Sequence, residues 1–216
     1  MFSLAGDQLE SIKLADQAAR ERRTRKLWDP NDLIARRQFP MLHFDLIEKN
    51  AKDKNLDPYL VIALIKQESA FQTEAHSWAG ARGLMQVIPP TGRYIARKRG
   101  IKNYNLFEPE TSVDFGTWYF ARAYHGTGGD APRTLAGYNA GPGRATRWWG
   151  QAVGRTYDET IERIPFDETR YYVKIILRNW EMYQRLYRDQ NYPLQRDHVF
   201  TVLPRSIGTE PAYDDN

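Results

Sequence analysis

Apolar residues recur at helical spacing through most of the chain, and this pattern predicts a mainly α-helical protein. Apolar stripes predict helices over residues 3–27, 40–54, 91–99, 110–124 and 133–139. The longest pattern begins near Glu168 and repeats apolar residues every three or four positions to Tyr187, which predicts a helix with one buried face. Strand signals are weak, and they allow at most a short hairpin within residues 72–90.

One further predicted helix has an apolar stripe that ends in a carboxylate. Asp57-Pro58 is typical of a helix start, because Asp can cap free N–H groups and proline suits the first helical position. Val61, Leu64 and Ile65 then lie at helical spacing. Glu68 is the next position on this stripe. Burial raises the pKa of a carboxyl group, so a buried Glu68 can stay protonated near neutral pH and act as a general acid. Spacing alone favours the simpler interpretation, a glutamate that turns out to solvent at the helix end.

The composition is that of a folded protein without thiol chemistry. The 216 residues are 41% hydrophobic and 13% aromatic, and they include no cysteine, so we expect one domain with extra segments at its ends and no disulfide. The net charge of +4 weakly favours an acidic polymer as partner, and it is also common among ordinary basic proteins. No apolar run approaches the roughly 20 residues of a membrane-spanning helix, so we expect no transmembrane segment.

Several other kinds of site are poorly supported. The basic cluster within residues 20–26 lacks the interleaved aromatic residues typical of single-strand binding, so we expect a solvated helix and no nucleic-acid partner. The histidines are scattered without a His-x-x-x-His pair, so we expect no metal and no other cofactor. Ser69 lacks a Gly-x-Ser-x-Gly turn, and the chain has no Gly-x-x-x-x-Gly-Lys phosphate loop.

Three later segments have residues suited to lining a binding groove. Gly83-Leu84-Met85-Gln86 combines a glycine for close backbone approach with an amide side chain. Residues 136–141 place Tyr138 and Asn139 between small residues. Glu168 lies at a predicted helix N-terminus, where the macrodipole stabilises a charged carboxylate. Taken singly, each segment is explained equally well as a tight turn, a glycine-bounded corner or a capped helix.

Taken together and in order, these segments resemble the catalytic domain of the soluble lytic transglycosylases, which are mainly α, lysozyme-like enzymes related in fold to goose-type lysozyme. The motifs are Glu68-Ser69, Gly83-Leu84-Met85-Gln86, Ala136-Gly137-Tyr138-Asn139-Ala140-Gly141 and Ile164-Pro165-Phe166-Asp167-Glu168-Thr169-Arg170-Tyr171-Tyr172-Val173. The resemblance predicts a catalytic domain over residues 38–190. Residues 1–37 would form an N-terminal helical extension, and residues 191–216 a C-terminal tail.

The resemblance implies an enzyme that cleaves the β-1,4 bond between N-acetylmuramic acid and N-acetylglucosamine in peptidoglycan without consuming water, leaving a 1,6-anhydro end. Glu68 would be the one catalytic carboxyl group, acting first as acid and then as base. The motif match assigns substrate binding to seven further residues, which are Ser77, Gln86, Thr91, Tyr138, Asn139, Glu168 and Tyr172. Two positions depart from the family pattern: Ile88 stands where a second Met is frequent, and Gly92 where Ala is usual.

Two alternatives stay open within this resemblance: a hydrolytic muramidase, and a non-catalytic peptidoglycan-binding or virion wall-docking module. In either case the resemblance implies peptidoglycan glycan strands as the partner, a location in the cell envelope (periplasm or cell wall) and a monomer. The start of the chain, Met1-Phe2-Ser3-Leu4, lacks the pattern of a secretory signal. We therefore expect a removed signal, a fragment, a phage-delivered form or another export route.

Overall fold

The structure, a computed structural model, describes residues 8–24 and 33–188. Regular structure in these residues is almost entirely helical, which confirms the predicted mainly α class. The helices are α1 (Gln8–Thr24), α2 (Leu33–Gln38), α3 (Phe44–Lys52), α4 (Pro58–Ser69), α5 (Pro89–Arg99), α6 (Pro109–Gly126), α7 (Ala131–Ala140), α8 (Pro142–Gly150), α9 (Tyr157–Glu162) and α10 (Asp167–Tyr187). The ends of the predicted first helix and the predicted tail lie outside the described residues.

Most predicted helices are present, with ends that differ by a few residues. The helix predicted over residues 40–54 is shorter, because His43 adopts a left-handed conformation with φ of 54° and α3 begins only after it. Sequence patterns missed α2, α8 and α9. The last of these begins with a capping box formed by Thr156 and Glu159, a spacing that is visible in the sequence. Within the described residues, the hairpin region contains only isolated bridges, which pair Arg82 with His76 and with Val87.

The described residues divide into two compact units. The first contains the residues up to Thr117 and those from Arg178 onward, and the second contains Trp118–Leu177. Helices α6 and α10 each contribute residues to both units. This division lies inside the region predicted as one catalytic domain, residues 38–190, and the domain boundaries after residues 37 and 190 stay predictions.

Helix α4 is the most buried helix of the first unit. Its six consecutive apolar residues, Leu60, Val61, Ile62, Ala63, Leu64 and Ile65, are all essentially inaccessible to solvent. A helix that is apolar around its whole circumference is buried on all sides, and this burial fixes the position of both of its ends. The predicted start at Asp57-Pro58 is confirmed, because the Asp57 carboxylate accepts a hydrogen bond of 2.8 Å from the backbone N–H of Tyr59.

The Asp57 carboxylate also ties the start of α4 to the C-terminal part of α10. Its Oδ2 atom accepts hydrogen bonds from Trp180 Nε1 at 3.0 Å, from Gln184 Nε2 at 3.1 Å and from an Arg188 guanidinium nitrogen at 2.8 Å. Trp180 and Gln184 are buried, and the Asp57 and Arg188 side chains are mostly shielded from solvent. One carboxylate therefore joins residues more than 120 positions apart in sequence.

The second unit has a comparable anchor at the start of α7. Asp130 caps this helix by accepting the Arg133 N–H at 2.9 Å, and its other oxygen accepts the Trp149 indole N–H at 2.9 Å. Burial raises the pKa of the Asp130 carboxyl group, although hydrogen bonds from Arg133, Tyr157 and Trp149 oppose the shift. These contacts fix the helix whose last turn carries Tyr138 and Asn139.

Candidate active site

Glu68 lies one residue before the end of α4, and it is half-buried. The helix ends sharply, because Ala70 and Phe71 both have positive φ values, 49° and 66°. Two consecutive non-glycine residues in this conformation are uncommon and cost free energy, so the surrounding contacts must hold them in place. The structure thus places the Glu68 carboxyl group on a rigid element that stops where the side chain can meet solvent or a ligand.

The Ser69 hydroxyl group fastens this helix end to the glycine-containing loop. Its oxygen lies 3.0 Å from the Leu84 carbonyl oxygen, to which it can donate, and it accepts the Phe71 N–H at 3.1 Å. Ser69 itself is buried. Because buried hydroxyl groups are stable only when hydrogen-bonded, this contact joins the loop of residues 83–86 to the helix end that carries Glu68.

Residues 83–86 form a tight loop that requires glycine at its first position. Gly83 has φ of 72°, and a Cβ atom there would lie 2.0 Å from the Leu106 carbonyl oxygen and 2.8 Å from Ser112 Oγ. The Ser112 hydroxyl group accepts the Met85 N–H at 3.1 Å. Ser112 is fully buried on α6, and no feature of the sequence marked it as a supporting residue.

Gln86, predicted to line the groove, uses its amide nitrogen inside the loop. Its Nε2 donates to the Ala75 carbonyl oxygen at 3.1 Å and to the Gly83 carbonyl oxygen at 2.9 Å. An amide nitrogen has two hydrogen atoms, so these two bonds use both of its donors. Only the carbonyl oxygen of the Gln86 side chain is therefore available to accept a hydrogen bond from a ligand.

Ser77 and Thr91 lie in the same unit as Glu68. Ser77 begins a turn, and its hydroxyl oxygen accepts the Ala81 N–H at 3.0 Å while the hydroxyl hydrogen can still be donated. Thr91 lies in the first turn of α5 and is half-buried. The closing glycine of that helix is also confirmed, because Gly100 adopts the left-handed conformation with φ of 68°.

The remaining predicted residues belong to the second unit, and two of them, Asn139 and Glu168, lie beside each other. Asn139 Oδ1 accepts a hydrogen bond of 2.6 Å from the Thr169 hydroxyl group, and Asn139 Nδ2 lies 3.5 Å from Glu168 Oε1. The Tyr138 ring packs edge-on against Tyr119 and Phe120. The end of α7 is thereby joined to the first turn of α10, where Glu168 is exposed. Tyr172, in the next turn of this helix, is buried.

Met85 packs so closely on Gly116 of α6 that a larger residue at position 116 should destabilise the protein. A Cβ atom at Gly116 would lie 2.5 Å from both Cβ and Sδ of Met85. Alanine is favoured over glycine inside a helix by up to about 1 kcal/mol. We nevertheless expect Gly116→Ala to lower the free energy of unfolding by about 1–3 kcal/mol, because overpacking outweighs helix propensity.

Urea denaturation followed by circular dichroism measures this effect, and Gly126→Ala is the matched control. Gly126 ends the same helix, and a Cβ atom there would meet no described atom within 4 Å. We expect the control to be neutral or slightly stabilising. Equal behaviour of the two variants would contradict the tight packing of Met85 on Gly116.

Two negative findings concern the described residues alone. No group of three or more His, Asp or Glu residues there is arranged to hold a metal ion. None of the helices in residues 8–24 and 33–188 has the length and apolar character needed to cross a membrane.

Comparison with known proteins identifies the family. The sequence model described as the transglycosylase SLT domain matches residues 45–161, which is more than half of the chain. The chain belongs to the SLT transglycosylase family. It is 36% identical over 177 residues to the soluble lytic murein transglycosylase of Salmonella typhimurium, an alignment that covers 80% of this chain and 27% of that protein. The resemblance recognised from the motifs is therefore confirmed.

Solved structures of the family share the fold. The lytic transglycosylase Slt of Pseudomonas aeruginosa, solved as an inactive mutant, matches with a TM-score of 0.71 at 30% identity, over 91% of this chain and 33% of that one. The 70 kDa soluble lytic transglycosylase of Escherichia coli matches with a TM-score of 0.74 at 29% identity, over 91% of this chain and 32% of that one. The lysozyme-like fold expected from the motifs is confirmed. This chain spans about a third or less of the length of these SLT family members.

Proposed function

We propose that this protein is a peptidoglycan lytic transglycosylase that cleaves the β-1,4 bond between N-acetylmuramic acid and N-acetylglucosamine. The observation that carries the proposal is the position of Glu68, a half-buried carboxyl group at the end of the buried helix α4, within the segment that the family model matches. A fixed carboxyl group beside an accessible surface can give a proton to a bound glycosidic oxygen.

In the proposed reaction, Glu68 first donates its proton to the glycosidic oxygen, and the bond from C1 of N-acetylmuramic acid to that oxygen breaks. The carbonyl oxygen of the substrate's own N-acetyl group bonds to C1 and carries the positive charge as an oxazolinium. The C6 hydroxyl group of the same sugar then attacks C1, which reopens the oxazolinium, and its proton passes to Glu68. The product has a 1,6-anhydro end, no water is consumed, and Glu68 returns to its starting state.

One carboxyl group suffices in this scheme because the substrate provides its own nucleophiles. Most glycoside hydrolases need a second carboxylate as base or nucleophile, and substrate assistance replaces it. An attacking hydroxyl group within the same molecule has a large effective concentration, so it competes well with water. The rigid helix end at Ser69 and Ala70 supports this role, because proton transfer requires the acid to be held within hydrogen-bonding distance of its target.

We propose that the seven motif residues bind the glycan strand. Gln86 would accept a hydrogen bond through its side-chain oxygen, since both amide hydrogens are used in the loop. Ser77 would donate through its hydroxyl group, and exposed Glu168 would accept from sugar hydroxyl groups. Asn139 would hold Glu168 in place. Thr91, Tyr138 and Tyr172 would each contact the sugars.

Two solved relatives support this assignment. The Pseudomonas aeruginosa enzyme was solved as an inactive mutant in which a glutamate is replaced by glutamine. The Escherichia coli enzyme was also solved in complex with bulgecin A. By analogy we propose that Glu68 is the essential residue here, that glycan strands of the cell wall are the partner, and that the protein acts as a monomer in the cell envelope.

Mass spectrometry of the products released from purified peptidoglycan sacculi tests the proposal. We expect muropeptides with 1,6-anhydro ends, whose masses lie one water, about 18 Da, below those of hydrolysed ends. Products with reducing ends would instead identify a hydrolytic muramidase. Binding to sacculi without any released product would identify a non-catalytic wall-binding or virion module.

A further inference from the structure

Trp78 is the most exposed large hydrophobic side chain in the described part of the molecule, and its side chain is fully accessible to solvent. Tryptophan usually buries much of its large surface, so a fully exposed indole is unfavourable unless a ligand covers it. The exposed side chain lies ten positions after Glu68 in sequence, in the same compact unit.

Trp78 lies in a turn that three hydrogen bonds close. The Gly80 N–H donates to the Ser77 carbonyl oxygen at 2.9 Å, and the Ser77 N–H donates to the Ala81 carbonyl oxygen at 3.0 Å. A third bond runs from the Ala81 N–H to Ser77 Oγ at 3.0 Å. The flanking residues Ser77, Ala79, Gly80 and Ala81 are all small. Both faces of the indole ring are therefore open, and the hydrogen-bonded backbone that carries it needs no ordering when a ligand binds.

Hydrogen bonds also connect this turn to the residues around Glu68. The Ala75 carbonyl oxygen accepts from the Gly83 N–H at 2.9 Å and from the Gln86 side chain at 3.1 Å. The same loop is joined to the end of α4 through the Ser69 hydroxyl group and the Leu84 carbonyl oxygen. Trp78 therefore lies in a turn that hydrogen bonds connect to the helix end carrying Glu68.

The charge of the segment that contains the turn suits a polymer that carries carboxylates on its peptide stems. Between Glu74 and Glu108 the segment has no Asp or Glu, and it contains six cations, of which Arg99 is paired with Asp114: Arg82, Arg93, Arg97, Lys98, Arg99 and Lys102. An anionic strand passing over this region would meet no like charge from this segment. The indole itself is uncharged, so it would recognise the sugar rather than the stem.

We propose that Trp78 binds an outer sugar of the glycan strand, one beyond the two sugars joined by the cleaved bond, by stacking the indole face on the apolar C–H face of the pyranose ring. This inference rests on the proposed function, since a long glycan strand must extend past the cleavage point. Trp78 would hold the strand while Glu68 acts on a neighbouring bond, and its contribution would depend on strand length.

Steady-state kinetics on glycan strands freed of peptide, compared with the disaccharide of N-acetylmuramic acid and N-acetylglucosamine that contains only the cleaved bond, test the inference. We expect Trp78→Ala to raise KM for long strands about five- to tenfold with kcat nearly unchanged, because one aromatic stacking contact is lost. KM for the disaccharide should not change. Trp78→Tyr should restore most of the binding. Leu33→Ala, which removes another exposed apolar side chain, should behave like the wild type.

Each outcome bears on one of the two proposals. An unchanged KM for long strands, an equal rise for short and long substrates, or a failure of Trp78→Tyr to restore binding would overturn the role of Trp78. If the wild-type protein cleaves neither substrate, the proposed function fails. Retention on immobilised glycan strands then decides the role of Trp78, because equal retention of wild type and Trp78→Ala would overturn it. Because the Trp78 side chain is fully exposed, the wild-type protein and Trp78→Ala should have the same melting temperature. A lower melting temperature of Trp78→Ala would show that the indole packs against the protein.

Discussion

The Glu68→Gln protein should bind peptidoglycan and fail to lyse it. Glutamine has nearly the same size and can still form hydrogen bonds, but it can neither give a proton to the glycosidic oxygen nor take one from the C6 hydroxyl group. Loss of one general acid or base costs roughly 10²–10⁴ in rate. Because one residue serves both steps, we expect activity below about 1% of wild type. A turbidity assay on purified sacculi measures the loss.

A matched control separates this effect from a general effect of removing a negative charge. Glu110→Gln changes an exposed glutamate in the first turn of α6, which no part of the proposed mechanism uses. It should lyse sacculi at close to the wild-type rate. Binding of both variants is measured by co-sedimentation with sacculi, where we expect wild-type levels. Persisting lysis by Glu68→Gln would refute the assignment of the catalytic acid.

Asp57→Ala should cause the largest loss of stability that we predict. Asp57 caps α4, and its second oxygen accepts from Trp180, Gln184 and Arg188. Alanine removes the cap, worth about 1 kcal/mol, and leaves buried donors without their acceptor. Removing one partner of a largely buried ion pair costs about 3–5 kcal/mol. We therefore expect the free energy of unfolding to fall by about 3–5 kcal/mol.

Two further variants distinguish the roles of Asp57. Asp57→Ser keeps an oxygen that can cap the helix, so it should recover about 1 kcal/mol relative to alanine. Asp53→Ala alters an exposed carboxylate just after α3 and should change the free energy of unfolding by less than about 0.5 kcal/mol. Urea denaturation followed by tryptophan fluorescence measures all three. A loss below about 1 kcal/mol in Asp57→Ala would mean that the three hydrogen bonds contribute little net stability.

The helices that sequence patterns located best are those with strong local signals. Helix α4 has Asp57-Pro58 at its start, α5 ends at Gly100, and α10 has a long apolar stripe. Each signal acts within a few residues, so it operates wherever the segment lies in the fold. The capping box of α9 is also a local signal, but the helix has only six residues and therefore shows no apolar periodicity that would support the prediction.

In the candidate site too, some features follow from local sequence patterns and others arise only when the chain folds. The position of Glu68 at a helix end follows from the spacing of its neighbours. The function of the Gln86 amide does not, because its partners Ala75 and Gly83 come together only through the shape of the loop. Likewise, the fully exposed side chain of Trp78 could not be inferred, because the sequence alone does not distinguish it from Trp149 and Trp180, which are buried.

By itself the amino-acid sequence established the helical class, the family and the carboxyl group that ends α4, because capping and periodicity are short-range properties and the order of motifs can be followed along the chain without the fold. Contacts between distant segments required the folded chain. Asp57 meets Trp180, and Gly116 meets Met85, only because burying apolar surface brings those helices and loops together. That packing determines the hydrogen-bond partner of each buried polar group, because a buried donor or acceptor must bond to a group that the fold places beside it.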